Sequence, residues 1–259
     1  MTQHSKTPEI HPTALVDSSC TLGRGTRVGP YAVIEADVEI GRDCRIAAHA
    51  VLKRYTRMGD RNQIHEGAVL GGAPQDLKFK ERPTHLFIGD DNVIREGATL
   101  HRASSGEATR IGDGNYLMAY VHVAHDCLLG DKVIIANNVC LAGHIEIGDH
   151  AFISGGVVIH QFTRIGRRSM VGGNAKVVQD VLPYCLVDGI PARTRALNLV
   201  GLRRAGLNAS QLKPLKEAYR ILFSDHSALE VRLQRLGKID SPRVRRLEEF
   251  IRSSQRGFC

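Results

Sequence analysis

An aliphatic residue recurs every six positions along most of this chain. The series opens at Ile10, Val16, Leu22, Val28, Ile34 and Ile40 and continues through Ile46, Leu52, Met58, Ile64 and Leu70. It resumes at Ile88, Ile94 and Leu100, then runs in unbroken steps from Ile111 to Val177. A helix repeats at about 3.6 residues and an alternating strand at about 2, so neither explains this beat. A solenoid does explain it. Each hexad makes one short strand and its corner, three hexads close a triangular coil, and residues 18 apart stack. Four residues after each aliphatic stands a small or β-branched residue suited to a narrow corner, as in Ala14, Cys20, Thr26, Ala32, Val38 and Cys44. Glycine follows many of the aliphatics, for example at Leu22-Gly23, Ile40-Gly41 and Ile147-Gly148, where the chain must turn tightly. Coils at the usual inter-strand spacing of about 4.8 Å would build a prism on the order of 45 Å tall.

The beat ends near residue 190, and the spacing becomes helical at Leu212, Leu215, Ala218, Tyr219 and Leu222. Ser227-Ala-Leu-Glu230 reads as a capping box, and Ser241-Pro242 as an N-cap with proline in the first turn. The chain is therefore expected to divide into a mainly β solenoid domain over residues 1–189 and a small α-helical domain over 190–259. Charge divides at the same place. Residues 190–259 hold 15 Lys+Arg and 6 Asp+Glu, the first 189 hold the other 20 and 21, and so the net charge of +8 resides in the tail. Such a surface suits an acidic partner or a phosphate-bearing ligand, whereas no nucleic-acid recognition motif accompanies it. None of the six cysteines forms a CxxC pair, and Cys20, Cys44 and Cys127 occupy the small corner slot. No segment reads as a signal peptide or a membrane span, which predicts a reduced, cytoplasmic protein. The flat sides of a solenoid are natural interfaces, so an oligomer is expected.

Residues 72–87 and 102–110 interrupt the beat. Both are charged, carry no apolar face of their own, and mark where ligand binding is expected to collect. Among twelve histidines, His101, His122, His125, His144 and His160 fall in the middle of the solenoid. His125 lies two residues past Val123, and the same slot 18 and 36 residues on holds Gly143 and Gln161, with His144 and His160 adjoining. One edge should thus gather imidazoles, a backbone amide without side-chain cover at Gly143, and an amide side chain. Asp126 is placed to orient the His125 imidazole, as a general base requires. The Gly143 N–H is placed to donate to an oxyanion. A base and a donor are the minimal equipment for acyl transfer to a hydroxyl. Beside this column, Gly155 and Gly173, flanked by Gly156 and Gly172, would clear a strip that a linear chain could occupy. Histidines from adjacent faces could instead hold zinc. The His122-x-x-His125 spacing is not specific in a β-solenoid, however, and neither a metal nor a cofactor is expected.

Seven segments together resemble a known family: Gln75-Asp76-Leu77-Lys78, Leu100-His101-Arg102, His122-Val-Ala-His125-Asp126-Cys127, Ala136-Asn137-Asn138, Leu141-Ala142-Gly143-His144, His160-Gln161-Phe162 and Met170-Val171-Gly172-Gly173. The chain resembles the acyl-carrier-protein-dependent UDP-N-acetylglucosamine O-acyltransferases, which open lipid A biosynthesis in Gram-negative bacteria. The resemblance runs from Ile10-His-Pro-Thr-Ala into the helical tail. It implies a left-handed parallel β-helix, against the usual right-handed preference of crossovers, assembled as a homotrimer with active sites between neighbouring prisms. His125 would be the base that takes the proton of the sugar 3-hydroxyl, with Asp126 orienting it. The Gly143 N–H would meet the oxyanion as an (R)-3-hydroxyacyl thioester is attacked. Asp76, Lys78, His101, His122, His144, His160 and Gln161 would contact the sugar nucleotide and the acyl group, with Asn198 and Arg204 near the nucleotide. Gly155 and Gly173 would line the acyl groove, and the basic tail would receive the acyl carrier protein. Three positions depart from the family pattern. Val200 stands where close relatives carry an acid, Ala205 where they carry a second arginine, and Pro191 where a histidine can bound the far end of the chain.

Four rivals remain at the level of sequence. Some members of the family acylate a 3-amino sugar and form an amide. A related N-acyltransferase acts later in the same pathway, but it carries an extra N-terminal domain, for which a repeat starting at residue 10 leaves no room. A metal-dependent hydratase of the same solenoid class would use the histidines as ligands. A non-catalytic scaffold would use the prism only as a binding surface.

Overall fold

The computed structural model describes residues 7–259, so residues 1–6 of the expected solenoid domain lie outside the described residues. The hexads form short parallel strands that stack into three sheets of eleven, nine and eight strands. The first face begins at Glu9–Ile10, the second at Leu15–Val16 and the third at Thr21–Leu22. Together they make a left-handed β-helix. Most neighbours stack 18 residues apart, as Val28 on Ile46 and Leu141 on Ile159. Two coils are longer, for Leu70 pairs with Leu100 and Leu100 with Val123.

The aliphatic beat lines the core. Ile34, Leu52, Ile64, Leu70, Leu100 and Leu141 are fully buried. Ile10, in the first described coil, is 47% exposed because coils stack on it from one side only. The small slot is filled by Ala32, Val38, Cys44 and Ala50, all buried. At the corner between the third and first faces, the same slot turns polar and holds a buried ladder of asparagines. Asn92 donates its backbone N–H and Nδ2–H to Asn62 Oδ1 at 2.9 and 3.0 Å. The Asn115 and Val133 N–H groups donate in turn to Asn92 and Asn115 Oδ1 at 2.8 and 2.7 Å. Corner amides that the sheet ladder cannot reach find acceptors this way.

Most corners also carry a residue at positive φ, and among the described residues seventeen non-glycine residues adopt it, including Asp126 (φ 60°), His144 (φ 60°) and Phe162 (φ 62°). This conformation costs an ordinary L-residue about 1–2 kcal/mol, and short polar side chains tolerate it best. The hexad spacing gives no hint of it.

Below the last coil an antiparallel hairpin, Cys185–Gly189 with Ala192–Leu197, leads into helices α1 (Leu199–Arg204), α2 (Ala209–Ser224), α3 (Leu229–Leu236) and α4 (Pro242–Arg252). The expected division after residue 189 falls at the turn of this hairpin, and the two apolar cores interleave across it. Leu182, Tyr184 and Cys185 pack with the helices, whereas Ala192 and Cys259 pack with the prism. Leu212, Leu215, Ala218 and Leu222 form the buried stripe of α2, with Tyr219 at its rim. Ser241 and Pro242 do start α4. The capping box expected at Ser227 is absent. The Asp225 carboxylate takes the Ser227 N–H at 2.9 Å, and α3 starts after Ala228 without a side-chain cap. A capping box stands instead on α2, between Asn208 and Gln211. Among the described residues no helix is long and apolar enough to cross a membrane.

Candidate active site

Both long coils spend their extra residues at one corner, between the second and third faces. Strand Val69–Gly72 reaches His85–Ile88 through residues 73–84, and Thr99–His101 reaches Ala108–Ile111 through 102–107. The same corner, one to three coils on, carries His125, Gly143 and Gln161. The interruptions are narrower than the broken beat suggests, because pairing resumes at His85 and Ala108. Nor are they without apolar anchors, since Leu86 and Ala103 are fully buried.

His125 and Asp126 occupy consecutive turn positions, and His125 Nδ1 lies 2.8 Å from Asp126 Oδ2. The second excursion wraps the carboxylate. Ser104 and Ser105 donate their N–H groups to Asp126 Oδ2 at 3.0 and 3.2 Å, and Gly106 N–H donates to Oδ1 at 2.7 Å. A Cβ on Gly106 would stand 2.8 Å from that oxygen, so a side chain there would push the carboxylate aside. Thr109 Oγ1 accepts the Asp126 N–H at 2.8 Å. Burial alone would raise the Asp126 carboxyl. The His125 hydrogen bond and the amides of Gly106, Ser104 and Ser105 outweigh it and hold the group below the usual carboxylate value. An ionised Asp126 keeps the proton of His125 on Nδ1 and leaves Nε2 as the free basic nitrogen.

Gly143 sits one coil below, against that free edge. A Cβ there would lie 2.6 Å from His125 Cε1 and 2.8 Å from Nε2, so a side chain at this position would displace the ring. The Gly143 N–H has no acceptor among the described residues. His144 packs edge-on to His125 at 5.3 Å and stacks on Phe162 at 4.5 Å. Asp76 closes the site from the first excursion. Its carboxylate accepts from Ser104 Oγ at 2.7 Å and from the Lys78 N–H at 2.9 Å, and these bonds, in that order, hold its carboxyl low. Ser104 therefore joins the Asp76 and Asp126 carboxylates, through its hydroxyl and its amide respectively. Arg102 pins the same excursion. Buried between Tyr55 and Phe79, it donates to both Glu81 carboxylate oxygens at 2.6 and 2.8 Å and to the Arg82 carbonyl at 2.7 Å.

His101 and His122 meet edge-on at 4.9 Å beside this cluster. Burial first, then the neighbouring His122 and His125, pushes His101 down to about 4. Burial and His125 lower His122, whose Nδ1 lies 2.8 Å from Thr99 Oγ1. Lys78, His160 and Gln161 are exposed at the same edge. Asn198 and Arg204 are not brought to it. Asn198 caps α1 and is buried, its amide donating to Arg168 O and its carbonyl accepting from Gly201 N–H, both at 3.0 Å. Arg204 is exposed at the end of α1.

The glycine strip beside the histidine column runs along its own edge. Gly155 and Gly173 lie between the first and second faces, an adjacent edge of the prism and not the histidine edge. The cause is the triangular cross-section, in which hexads six residues apart turn onto different corners. The glycines also differ from one another. A Cβ at Gly156 or Gly172 would meet Asn174 at 2.2 Å or Asp188 at 2.5 Å, which is a packing requirement. At Gly155 and Gly173 the nearest atoms would be 3.4 and 3.6 Å away, ordinary contact distances. Packing within the chain does not demand glycine at these two positions.

His125, Asp126 and His144 each present a donor atom within 4.8 Å of the others, an arrangement that could suit a metal. Asp126 Oδ2 already takes His125 and two backbone amides, so it would have to give up those bonds. Cys127 is buried, donates to Ala142 O at 3.1 Å and is pushed up to about 12 by burial, so it stays a thiol and is not a nucleophile. Sequence reasoning does not reach Ser104, Gly106 or Thr109. The available signal was Ser104-Ser105-Gly106, a small run of the kind that wraps an anion in backbone amides.

The model described as "Udp N-acetylglucosamine O-acyltransferase; Domain 2" matches residues 180–259, and that of the bacterial transferase hexapeptide matches 19–54 and 108–143. An acyl-[acyl-carrier-protein]–UDP-N-acetylglucosamine O-acyltransferase of Burkholderia orbicola is 48% identical over 258 residues, covering 96% of this chain and 98% of that protein. Among solved structures, the UDP-N-acetylglucosamine O-acyltransferase of Moraxella catarrhalis superposes with a TM-score of 0.94 at 40% identity, covering 96% of this chain and 98% of that one. The UDP-N-acetylglucosamine acyltransferase of Campylobacter jejuni gives 0.92 at 36% identity, with the same coverage.

Proposed function

The chain belongs to the acyl-carrier-protein-dependent UDP-N-acetylglucosamine O-acyltransferases, and from that premise we propose how its residues carry out the first step of lipid A biosynthesis. An (R)-3-hydroxyacyl chain passes from acyl carrier protein to the 3-hydroxyl of UDP-N-acetylglucosamine. His125 Nε2 takes the hydroxyl proton while the oxygen bonds to the thioester carbonyl carbon. The Gly143 N–H donates to the oxyanion of the tetrahedral intermediate. The carbon–sulfur bond then breaks, and the thiolate leaves with the proton held by His125. Asp126 stabilises the transient imidazolium. Asp76, Lys78, His101, His122, His144, His160 and Gln161 bind the sugar nucleotide and the acyl group, and Gly155 and Gly173 make room for the chain.

The observation that carries this reading is the His125–Asp126 pair, whose carboxylate is held by three backbone amides and whose free imidazole edge faces Gly143. The test is turnover of 3-hydroxyacyl carrier proteins of graded length with UDP-N-acetylglucosamine or its 3-amino analogue, with products read by mass. His125→Ala should lose at least about a hundredfold in turnover, the usual scale for a general base. Near-normal turnover would remove His125 from the role. A metal-dependent hydratase predicts stoichiometric metal and loss of activity with chelator, which the same preparation checks.

The working unit in this reading is a homotrimer with each site between two prisms. Its support is the second face, whose outward row holds Leu15, Val33, Val51, Val69 and Val158, with Leu15 68% and Val158 45% exposed. The third face offers Glu39, Arg57, Arg110, Glu146 and Arg164 to water instead. Asn198 and Arg204 would serve the nucleotide from the tail of an adjoining chain. The basic tail would dock the acidic carrier protein, and the cytoplasm is the compartment where both substrates meet it.

A further inference from the structure

The segment after α4 folds back under the prism. Ser254 Oγ donates to Asp180 Oδ2 at 2.8 Å, Asp180 N–H donates to Gly257 O at 3.0 Å, and Cys259 N–H donates to Asp180 O at 3.0 Å. The Cys259 side chain is buried among the core residues of the prism. This dock fixes Arg256, whose side chain reaches the foot of the catalytic edge. Its Nε and Nη2 lie 3.4 Å from the Val178 carbonyl, and Nη2 lies 3.4 Å from His160 Nδ1. Val178 stands one coil below His160 at the same corner.

These contacts leave the guanidinium under-used. His160 Nδ1 is 3.1 Å from the Gln161 carbonyl, and a ring N–H donating there cannot also accept from Arg256. None of the contacts of Arg256 is a carboxylate, and Nη1 has no hydrogen-bond partner among the described residues. A half-buried guanidinium with one carbonyl as its only full partner keeps its planar donor fork free, which is the geometry that binds phosphate.

We propose that Arg256 is a phosphate-binding residue of the active site, holding a phosphate group of a bound substrate beside His160. The proposal rests on the acyl-transfer reading, which supplies two sources of that group: the diphosphate of the sugar nucleotide and the phosphodiester of the carrier protein's phosphopantetheine arm. UDP-N-acetylglucosamine and an acyl-4′-phosphopantetheine are titrated separately into the unmodified protein, Arg256→Gln and Arg256→Lys, with binding read by calorimetry. Arg256→Gln should bind one of the two ligands roughly tenfold more weakly, the scale of one charge-assisted hydrogen bond, and the other unchanged. Arg256→Lys should recover part of the loss, and the weakened ligand identifies the phosphate. Equal affinities in all three proteins overturn the proposal, as does binding of neither ligand by the unmodified protein. An equal loss of both ligands in both variants also overturns it, because it marks a structural role for the tail. Turnover is followed in parallel. Arg256-dependent binding without turnover would sink the acyl-transfer reading alone, and turnover with Arg256-independent binding would sink this proposal alone.

Discussion

His101 is buried with an orphaned Nδ1, and its ring contributes to the acid sensitivity expected of the fold. Its folded value of about 4 lies below the unfolded value of about 6.5. As pH falls through 6.5 the unfolded chain takes up the proton first, so stability is full above that point, is lost down to about 4 and is level below. The loss is at most about 3 kcal/mol, and His122 adds to it in the same direction. His101→Gln should therefore flatten the fall in urea midpoint between about pH 7 and pH 5; an unchanged slope would assign the acid sensitivity elsewhere. At neutral pH both rings stay uncharged. They place no positive charge against a base that must gain a proton. Gly143 is constrained at the same scale, since its missing side chain is what lets the His125 ring lie where it does.

Corners, more than strands, distinguish one element of this fold from the next. Two-residue strands bury one side chain each and differ little, whereas every corner solves its own hydrogen-bonding problem. The Asn62–Asn92–Asn115 ladder supplies acceptors to amides that the third-to-first corner orphans. Asn92→Ala leaves the Asn115 N–H without its acceptor and should cost about 2–3 kcal/mol in chemical denaturation. A cost under about 0.5 kcal/mol would mean that water replaces the amide. The first-to-second corner poses a different question, because Gly155 and Gly173 have room for a side chain within the chain. Gly173→Met should shift preference toward shorter acyl donors while leaving the melting temperature nearly unchanged. An unchanged chain-length profile would place the acyl chain along another edge.

For the whole molecule, the histidine edge and the glycine edge flank the second face, whose outward row is apolar over its first four coils, at Leu15, Val33, Val51 and Val69. A flat apolar strip along a solenoid calls for cover. In the proposed trimer, a neighbouring prism would cover it and bring a second edge to each site. Val51→Asp with Val69→Asp should reduce the particle from three times the 28.4 kDa chain to a single chain, read by native mass spectrometry, with turnover lost alongside. A double variant that remains trimeric would show that another face carries the interface. Charge is segregated on the same scale, with the net positive charge carried by residues 190–259 while the acidic and basic residues of 1–189 nearly balance.

The six-residue beat determined the prism, its three faces and its 18-residue stacking, because side-chain burial in a solenoid repeats with sequence. That same arithmetic brought His125, Gly143 and Gln161 to one edge and set Asp126 beside its histidine. Motifs in the broken coils pointed to Asp76 and Lys78, but not to what holds them. Only the tertiary structure decided that Ser104 joins Asp76 to Asp126, that Arg102 anchors the excursion between Tyr55 and Phe79, and that Arg256 arrives beside His160. These contacts join residues 22 to 96 apart with no fixed period between them. The same holds for the glycine strip, which counting set beside the histidine column without saying on which edge. A linear period says which residues stack; which corner faces which, and what folds back across it, depends on how the irregular segments close in space.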